Sequence, residues 1–247
     1  KDAGRRRDES PSSSARLRAE DGVIARSDCV IASTPYEFDD LIDHYQASPE
    51  RLCVSEPGID HTLFTPGSRD EERRKIGVGD EPLVLSVGRI QAHKGLDVAI
   101  DMLPHLPDEV AAGSGPTTLM IVGGPSGLNG SLEIELLQQQ ARAIGVADRV
   151  TFVPPQPHDQ LVHYYRAADV LVLPSRSESF GLVAAEAQAS GLPVVASRVG
   201  GLPYVIESSV SGLLINDHNP RSFAAASTAI LDHPEFRHNL SKGAIEE

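Results

Sequence analysis

"DVLVLPSRSESFGLVAAEAQASGLPVVASRVGG", residues 169–201, holds a strand, a helix and a second strand in succession. "DVLVLPS" is a continuous apolar run closed by proline and serine, "GLVAAEAQASG" has helical composition between two glycines, and "PVVASRVG" is again continuously apolar. A strand that is apolar on both faces needs cover on both faces, which a parallel sheet with crossover helices supplies. The stretch therefore predicts one step of a doubly wound α/β domain.

The same alternation continues on both sides. "LVLSVGRI" reads as a strand, "GLDVAIDMLPHL" as a helix, "TLMIVGGP" as a strand, "SLEIELLQQQARAIGV" as a helix, "VTFVPP" as a strand and "HDQLVHYYRAA" as a helix. "GLLIND" is a last strand before the helix "PRSFAAASTAILD". Residues 83–232 are thus expected to form a Rossmann-like domain, with 233–247 beginning a carboxyl-terminal helix. "EVAAGSGP" reads as a loose, mobile loop of small residues.

Upstream, residues 57–82 are rich in Pro, Gly and charge, and are read as a linker followed by a short charged helix. Residues 16–56 hold helix, strand, helix and strand, with Thr34 and Pro35 making a helix start. Two strands are too few for a doubly wound domain, so this segment is expected to be the tail end of a first domain. Residues 1–15, charged and Ser-rich, read as disordered, with "RRR" a solvated tail.

The chain has 247 residues, 40% of them hydrophobic, enough for a core. Its 35 acidic and 22 basic residues leave a formal charge of −13, the wrong sign for wrapping nucleic acid or lying on anionic lipid. A phosphate site here must be local. Cys29 and Cys53 lie in short apolar runs and are expected to be buried free thiols of a reducing, cytoplasmic setting. No apolar run approaches the ~20 residues of a membrane span. Scattered histidines offer no zinc spacing, and neither a serine elbow nor a Walker-type loop is present.

Ligands of a doubly wound sheet bind beyond the carboxyl ends of its strands. Arg89 and Lys94 follow the first strand of the domain, Gly123 and Gly124 the second, "SESFG" follows "DVLVLP", and Gly200 and Gly201 follow "PVVASR". A helix starting at Phe180 or Gly181 would offer free N–H groups to an anion, and Gly181 would let a phosphate approach the backbone. Glu186 would stand about five residues, or roughly 8 Å, along that helix, about the distance from a nucleotide's phosphates to its ribose. Glu178 could then reach a group on the far side of the phosphates. The same residues also fit a solvated loop glutamate, a surface helix position and a solvated basic pair, and spacing does not decide between them. For Gly200 and Gly201 a tight turn with positive φ is the simpler reading, close approach to a ligand the other.

Together these motifs resemble the carboxyl-terminal half of a retaining glycosyltransferase of the two-domain GT-B type, family 4, over about residues 16–240. The family's E-x7-E signature is matched by Glu178 and Glu186, its G-R-x(4)-K-G element by Gly88, Arg89, Lys94 and Gly95, and its glycine pair by Gly200 and Gly201. The resemblance implies sugar transfer from a nucleotide sugar with retention. Arg89 and Lys94 would hold the diphosphate and meet the charge on the leaving nucleotide, helped by the backbone amides of Ser179, Phe180, Gly181 and Leu182. Glu178 would bind the donor sugar and Glu186 the ribose, with the base near Gln156. No metal or other cofactor is required in that scheme.

Within the family, "VGRIQAHKG", "PGIDHTLFTPG" and the 177–203 stretch look closest to the enzymes that open mycothiol synthesis, which join N-acetylglucosamine from its UDP-sugar to an inositol phosphate. Tyr204 stands where many members have glutamate, and those enzymes share that departure. Sucrose-phosphate-type transferases, mannosyltransferases and a non-catalytic nucleotide-sugar binding module are the alternatives. Arg16 matches a basic position near the acceptor phosphate, or else lies on a solvated helix face. The expected partners are a nucleotide sugar and a small acceptor, with a homodimer left open. As the donor half only, the chain is expected to be inactive alone.

Overall fold

The computed structural model describes residues 11–127 and 130–246, and they fall into two compact units that part between Pro57 and Gly58. The first comprises α1 (Pro11–Arg26), β1 (Val30–Ala32), α2 (Pro35–Tyr45) and β2 (Leu52–Val54), with β1 and β2 parallel. α2 begins as its sequence requires. The Thr34 hydroxyl accepts from the Glu37 N–H at 3.0 Å, Pro35 occupies the first turn, and the Glu37 carboxylate reaches back to the Ser33 N–H at 2.7 Å.

Three expectations change in this unit. The disorder expected over 1–15 stops short of residues 11–15, which belong to α1; residues 1–10 and their arginine run lie outside the described residues. Cys29 precedes β1 instead of lying in it, and Cys29 and Cys53 are exposed with their sulfurs 3.4 Å apart, not buried. The reason is the pleat: α2 packs on the strand pair, β1 buries Ala32 and turns Ile31 outward, and Cys53 is the register partner of Ile31. The Cys53 sulfur, by hydrogen bonding, holds the Cys29 thiol above its ordinary pKa.

The second unit contains α3 (Arg69–Ile76), β3 (Leu83–Val87), α4 (Leu96–Asp101), β4 (Thr118–Val122), α5 (Gly130–Ala143), β5 (Val150–Val153), α6 (Leu161–Ala167), β6 (Val170–Leu173), α7 (Leu182–Ala189), β7 (Val194–Ser197), α8 (Leu202–Val205), β8 (Gly212–Ile215), α9 (Pro220–Asp232) and α10 (Pro234–Glu246). Its six strands pair in parallel in the order β5-β4-β3-β6-β7-β8. This is the doubly wound α/β sheet expected from the alternation. The apolar strands are explained by two cores: Val84, Val170 and Val172 pack with residues of α4, α5, α9 and α10, whereas Leu83, Leu85, Leu171 and Leu173 pack with residues of α6 and α7. The strand order reverses between β3 and β6, so a crevice opens beyond their carboxyl ends.

Of the linker and short charged helix expected over 57–82, the helix is α3, and from Gly58 onward the stretch is part of the second unit. α3 packs along α6, and the buried Arg73 donates to the carbonyls of Ala167, Gly79 and Glu81 and to the fully buried Asp169 at 2.8 Å. Asp169 also accepts from Arg69, Arg237 and the Leu83 N–H. One carboxylate thereby ties α3, β3, β6 and α10 together at the amino end of the sheet. The loop around 109–116 is anchored, not loose. Val110 and Ala112 are buried, the Ala112 carbonyl accepts from Arg69, and a Cβ on Gly113 would stand 2.0 Å from the Asp80 carbonyl oxygen.

Candidate functional site

The crevice beyond β3 and β6 is lined by Gly88, Arg89, Lys94, Ser175 and Glu178, with Val87 and Val183 supplying apolar wall. Two glycines set its floor. Gly88 (φ 145°) closes β3, and a Cβ on Gly123 (φ 153°) would lie 1.8 Å from the Gly88 carbonyl oxygen, so the two strand ends meet backbone to backbone. Arg89 is exposed and makes no hydrogen bond or ion pair among the described residues.

Lys94 ends a 3-10 turn, and Gly95 follows in the left-handed region, where a Cβ would lie 2.0 Å from the Pro174 carbonyl oxygen. The β3–α4 loop is thus pressed on the loop that follows β6. Arg176 joins them further: its N–H donates to the His93 carbonyl at 2.7 Å, and its guanidinium grips Asp97 bidentately at 2.8 and 2.6 Å. Burial would raise the Asp97 carboxyl, but the hydrogen bonds and charge of Arg176 outweigh it and hold the pKa below its ordinary value.

The consequence is direct contact between two residues 84 apart in the chain: Lys94 Nζ and Glu178 Oε2 are 2.6 Å apart, with side chains 20% and 19% exposed. The positions matched to a phosphate cation and a sugar-binding carboxylate therefore meet. Ser175, in the same loop, is 1% exposed, and its hydroxyl has no partner among the described residues.

α7 starts at Leu182, one or two residues later than expected, and no side chain caps its amino end. Its first N–H groups are left for an anion. Ser179 and Phe180 lie in the loop before it, and Gly181, at φ 108°, leads into it. The glycine pair supports this loop from beneath. Gly200 has φ 53°, its Cβ would stand 1.7 Å from the Glu178 carbonyl oxygen, and a Cβ on Gly201 would stand 2.3 Å from that of Ser179. The tight-turn reading holds at Gly200, with its positive φ, and the close approach seen at this pair is to the protein's own loop.

Glu186 is not a surface position. It is 6% exposed, and Tyr165 Oη donates to its Oε2 while His158 Nε2 lies against its Oε1, both at 2.7 Å. Gln156 lies two residues before His158, donating to the Pro154 carbonyl at 2.8 Å. Lys94, Glu178, Arg89 and the start of α7 thus share the crevice, whereas Gln156 and Glu186 are linked through the β5–α6 loop. Arg16 belongs to the first unit, where it is exposed and pairs with Glu20 at 2.6 Å.

Ser175, Tyr165 and His158 are the residues that sequence reasoning missed. A signal existed for the last two: a carboxylate on a helix as apolar as "LVAAEAQA" must be buried, and a buried carboxylate needs donors.

Known proteins resemble this chain in sequence and in fold. Residues 68–247 match the family model of glycosyl transferases group 1. D-inositol 3-phosphate glycosyltransferase of Thermobifida fusca is 43% identical over 238 residues, covering 96% of this chain and 55% of that protein. The chain spans about half the length of the curated relatives it matches. Among solved structures, sucrose-phosphate synthase from Thermosynechococcus elongatus superposes with a TM-score of 0.84 at 33% identity, covering 99% of this chain and 58% of that one. HepE of Anabaena, crystallised with UDP-glucose, gives 0.85 at 24% identity over 96% of this chain and 64% of its own. These neighbours place the fold among the GT-B glycosyltransferases. Among the described residues no helix is long and apolar enough to cross a membrane.

Proposed function

The chain belongs to the group 1 glycosyl transferases, and from that premise we propose that its second unit holds the nucleotide-sugar donor of a retaining glycosyltransferase. The donor we propose is UDP-N-acetylglucosamine and the acceptor of the whole protein an inositol phosphate. The observation that carries the reading is the Lys94–Glu178 contact, set in a crevice with Arg89, which has no partner among the described residues, and the uncapped start of α7.

In this reading the diphosphate lies across Arg89, Lys94 and the first amides of α7, and Glu178 turns from Lys94 toward the donor sugar. When the bond between the anomeric carbon and the β-phosphate oxygen breaks, its electron pair goes to that oxygen, while the acceptor's hydroxyl oxygen bonds to the anomeric carbon on the same face and its proton passes to the leaving phosphate. Arg89 and Lys94 meet the resulting charge, with Arg as a fork and Lys as a point charge. Protein cations take this role, so the donor is held without a divalent metal. Ser175, whose buried hydroxyl has no partner among the described residues, supplies one further hydroxyl to the same anion. The acceptor role of Arg16 stays a proposal for the whole protein.

Calorimetric titration of the chain with UDP, GDP and ADP in the presence of a chelator tests this. Selective, metal-independent binding of UDP is the expected result. Binding that requires a divalent metal, or no binding of any of the three, contradicts the proposal.

A further inference from the structure

The first unit brings the chain's two thiols together, far from the crevice in sequence and in role. Cys29 and Cys53 are both exposed, and their sulfurs stand 3.4 Å apart although 24 positions separate them in the chain. The strand pair explains the meeting. β1 and β2 run parallel with Ile31 opposite Cys53, and Cys29, two residues before Ile31, shares that outward face of the pleat. Ile31 on the same face is 64% exposed, so a small reagent can reach the sulfurs.

The elements between the two cysteines are lightly held. α2 has no buried residue, and each strand is three residues long. An isolated strand pair of this size is marginal in water. The segment from Cys29 to Cys53 contains β1, α2 and the turn Pro49–Arg51. A bond between the sulfurs would close that whole strand–helix–strand segment into a loop and remove much of the freedom it gains on unfolding.

We propose that Cys29 and Cys53 form a dithiol site that a small disulfide, the oxidised form of a low-molecular-weight thiol, closes reversibly into a disulfide stapling β1 to β2 around α2. The exchange runs in two steps. The Cys53 thiolate attacks one sulfur of the small disulfide, forming a mixed disulfide and releasing one small thiolate. Cys29 then gives its proton to solvent and attacks the Cys53 sulfur, so that the Cys29–Cys53 bond forms and the second small thiolate leaves. The protein thiols lose two electrons and the small disulfide gains them. The order follows from the contact: the Cys53 sulfur holds the Cys29 thiol above its ordinary pKa, so Cys29 keeps its proton until the second step. Excess small thiol reverses both steps. The site is independent of the nucleotide-sugar reading.

The test is to incubate the chain with oxidised glutathione, folded and in urea, block free thiols with a maleimide and measure the intact mass. The folded chain is expected to become a monomer lighter by two hydrogen atoms, carrying neither glutathione nor maleimide, and to return to the dithiol with reduced glutathione. The ratio of closed chain to mixed disulfide should exceed that in urea by at least about tenfold, because the fold holds the sulfurs in place. Cys29→Ser is expected to stop at the mixed disulfide on Cys53. Amide exchange over residues 30–54 should slow by at least about tenfold in the closed form, with β3 and β6 unchanged. Two glutathione adducts on one chain, disulfide-linked dimers, or a closure ratio equal to that in urea would overturn the site. Closure without slower exchange would overturn the staple.

Discussion

The two ends of the six-stranded sheet treat charge in opposite ways. At the amino end, Asp169 is fully buried, and both its oxygens are engaged by Arg69, Arg73, Arg237 and the Leu83 N–H. At the carboxyl end, Lys94 and Glu178 hold each other while partly exposed, Arg89 has no partner among the described residues, and the Ser175 hydroxyl is buried without one. Saturated charge joins segments far apart in the chain, as the 96 residues between Arg73 and Asp169 show. Unsaturated charge in a crevice is what a ligand can complete.

The largest effect that would break this contrast comes from the saturated end. Asp169→Ala leaves buried guanidinium charge uncompensated and is expected to cost ~3–5 kcal/mol of folding stability in urea unfolding. A loss under about 1 kcal/mol, the scale of an exposed ion pair, would show that the Asp169 network is not what joins α3, β3 and α10.

At the other end the expected signature is reversed. Lys94→Ala should weaken UDP binding by about 1.5–3 kcal/mol, roughly 10- to 150-fold, with folding stability within about 0.5 kcal/mol of the original. Unchanged affinity would return Lys94 to the role of a loop cation. Gly200→Ala couples the two properties, because the new methyl would stand 1.7 Å from the Glu178 carbonyl oxygen at a φ of 53°. It should cost more than ~1 kcal/mol of stability and also weaken UDP, since the Glu178 loop must move. Stability lost with UDP affinity intact would separate that loop from the site.

The smallest effect is a pH dependence on the side of the sheet covered by α3 and α6. Burial would raise the Glu72 carboxyl, but hydrogen bonds from Lys75 and His163 and their charge outweigh it, leaving the folded pKa below its ordinary value. A lowered carboxylate stabilises the fold above the ordinary glutamate range and loses that contribution as pH falls through the lowered pKa. Urea midpoints followed from about pH 6 to about pH 3 should therefore drop more steeply for the original chain than for Glu72→Gln. Equal slopes would contradict the assignment.

What was legible in the sequence follows from how local its cause is. The six strands show as continuous apolar runs, the start of α2 as Thr34 followed by Pro35, and the paired motifs as residues at strand ends. The short charged helix α3 was legible, but its role was hidden because its meaning lies in Asp169, a hundred residues away from Arg69, so the stretch before it read as a linker. The anchoring of the 109–116 loop was hidden for the same reason, through the close approach of Gly113 to Asp80. The cysteines misled because a two-stranded pair has an outward pleat that a larger sheet would cover. The spacing of Glu178 and Glu186 was plain, but that Lys94 meets the first and Tyr165 and His158 hold the second depends on five different loops and helices coming together.

The central claim is that the charges at the carboxyl end of β3 and β6 form a diphosphate site. Parallel calorimetric titrations of the chain with UDP, UMP and uridine test it most directly. The account predicts affinity falling in that order, by at least roughly tenfold from UDP to uridine, the worth of one charged hydrogen bond. Uridine binding as tightly as UDP would contradict it.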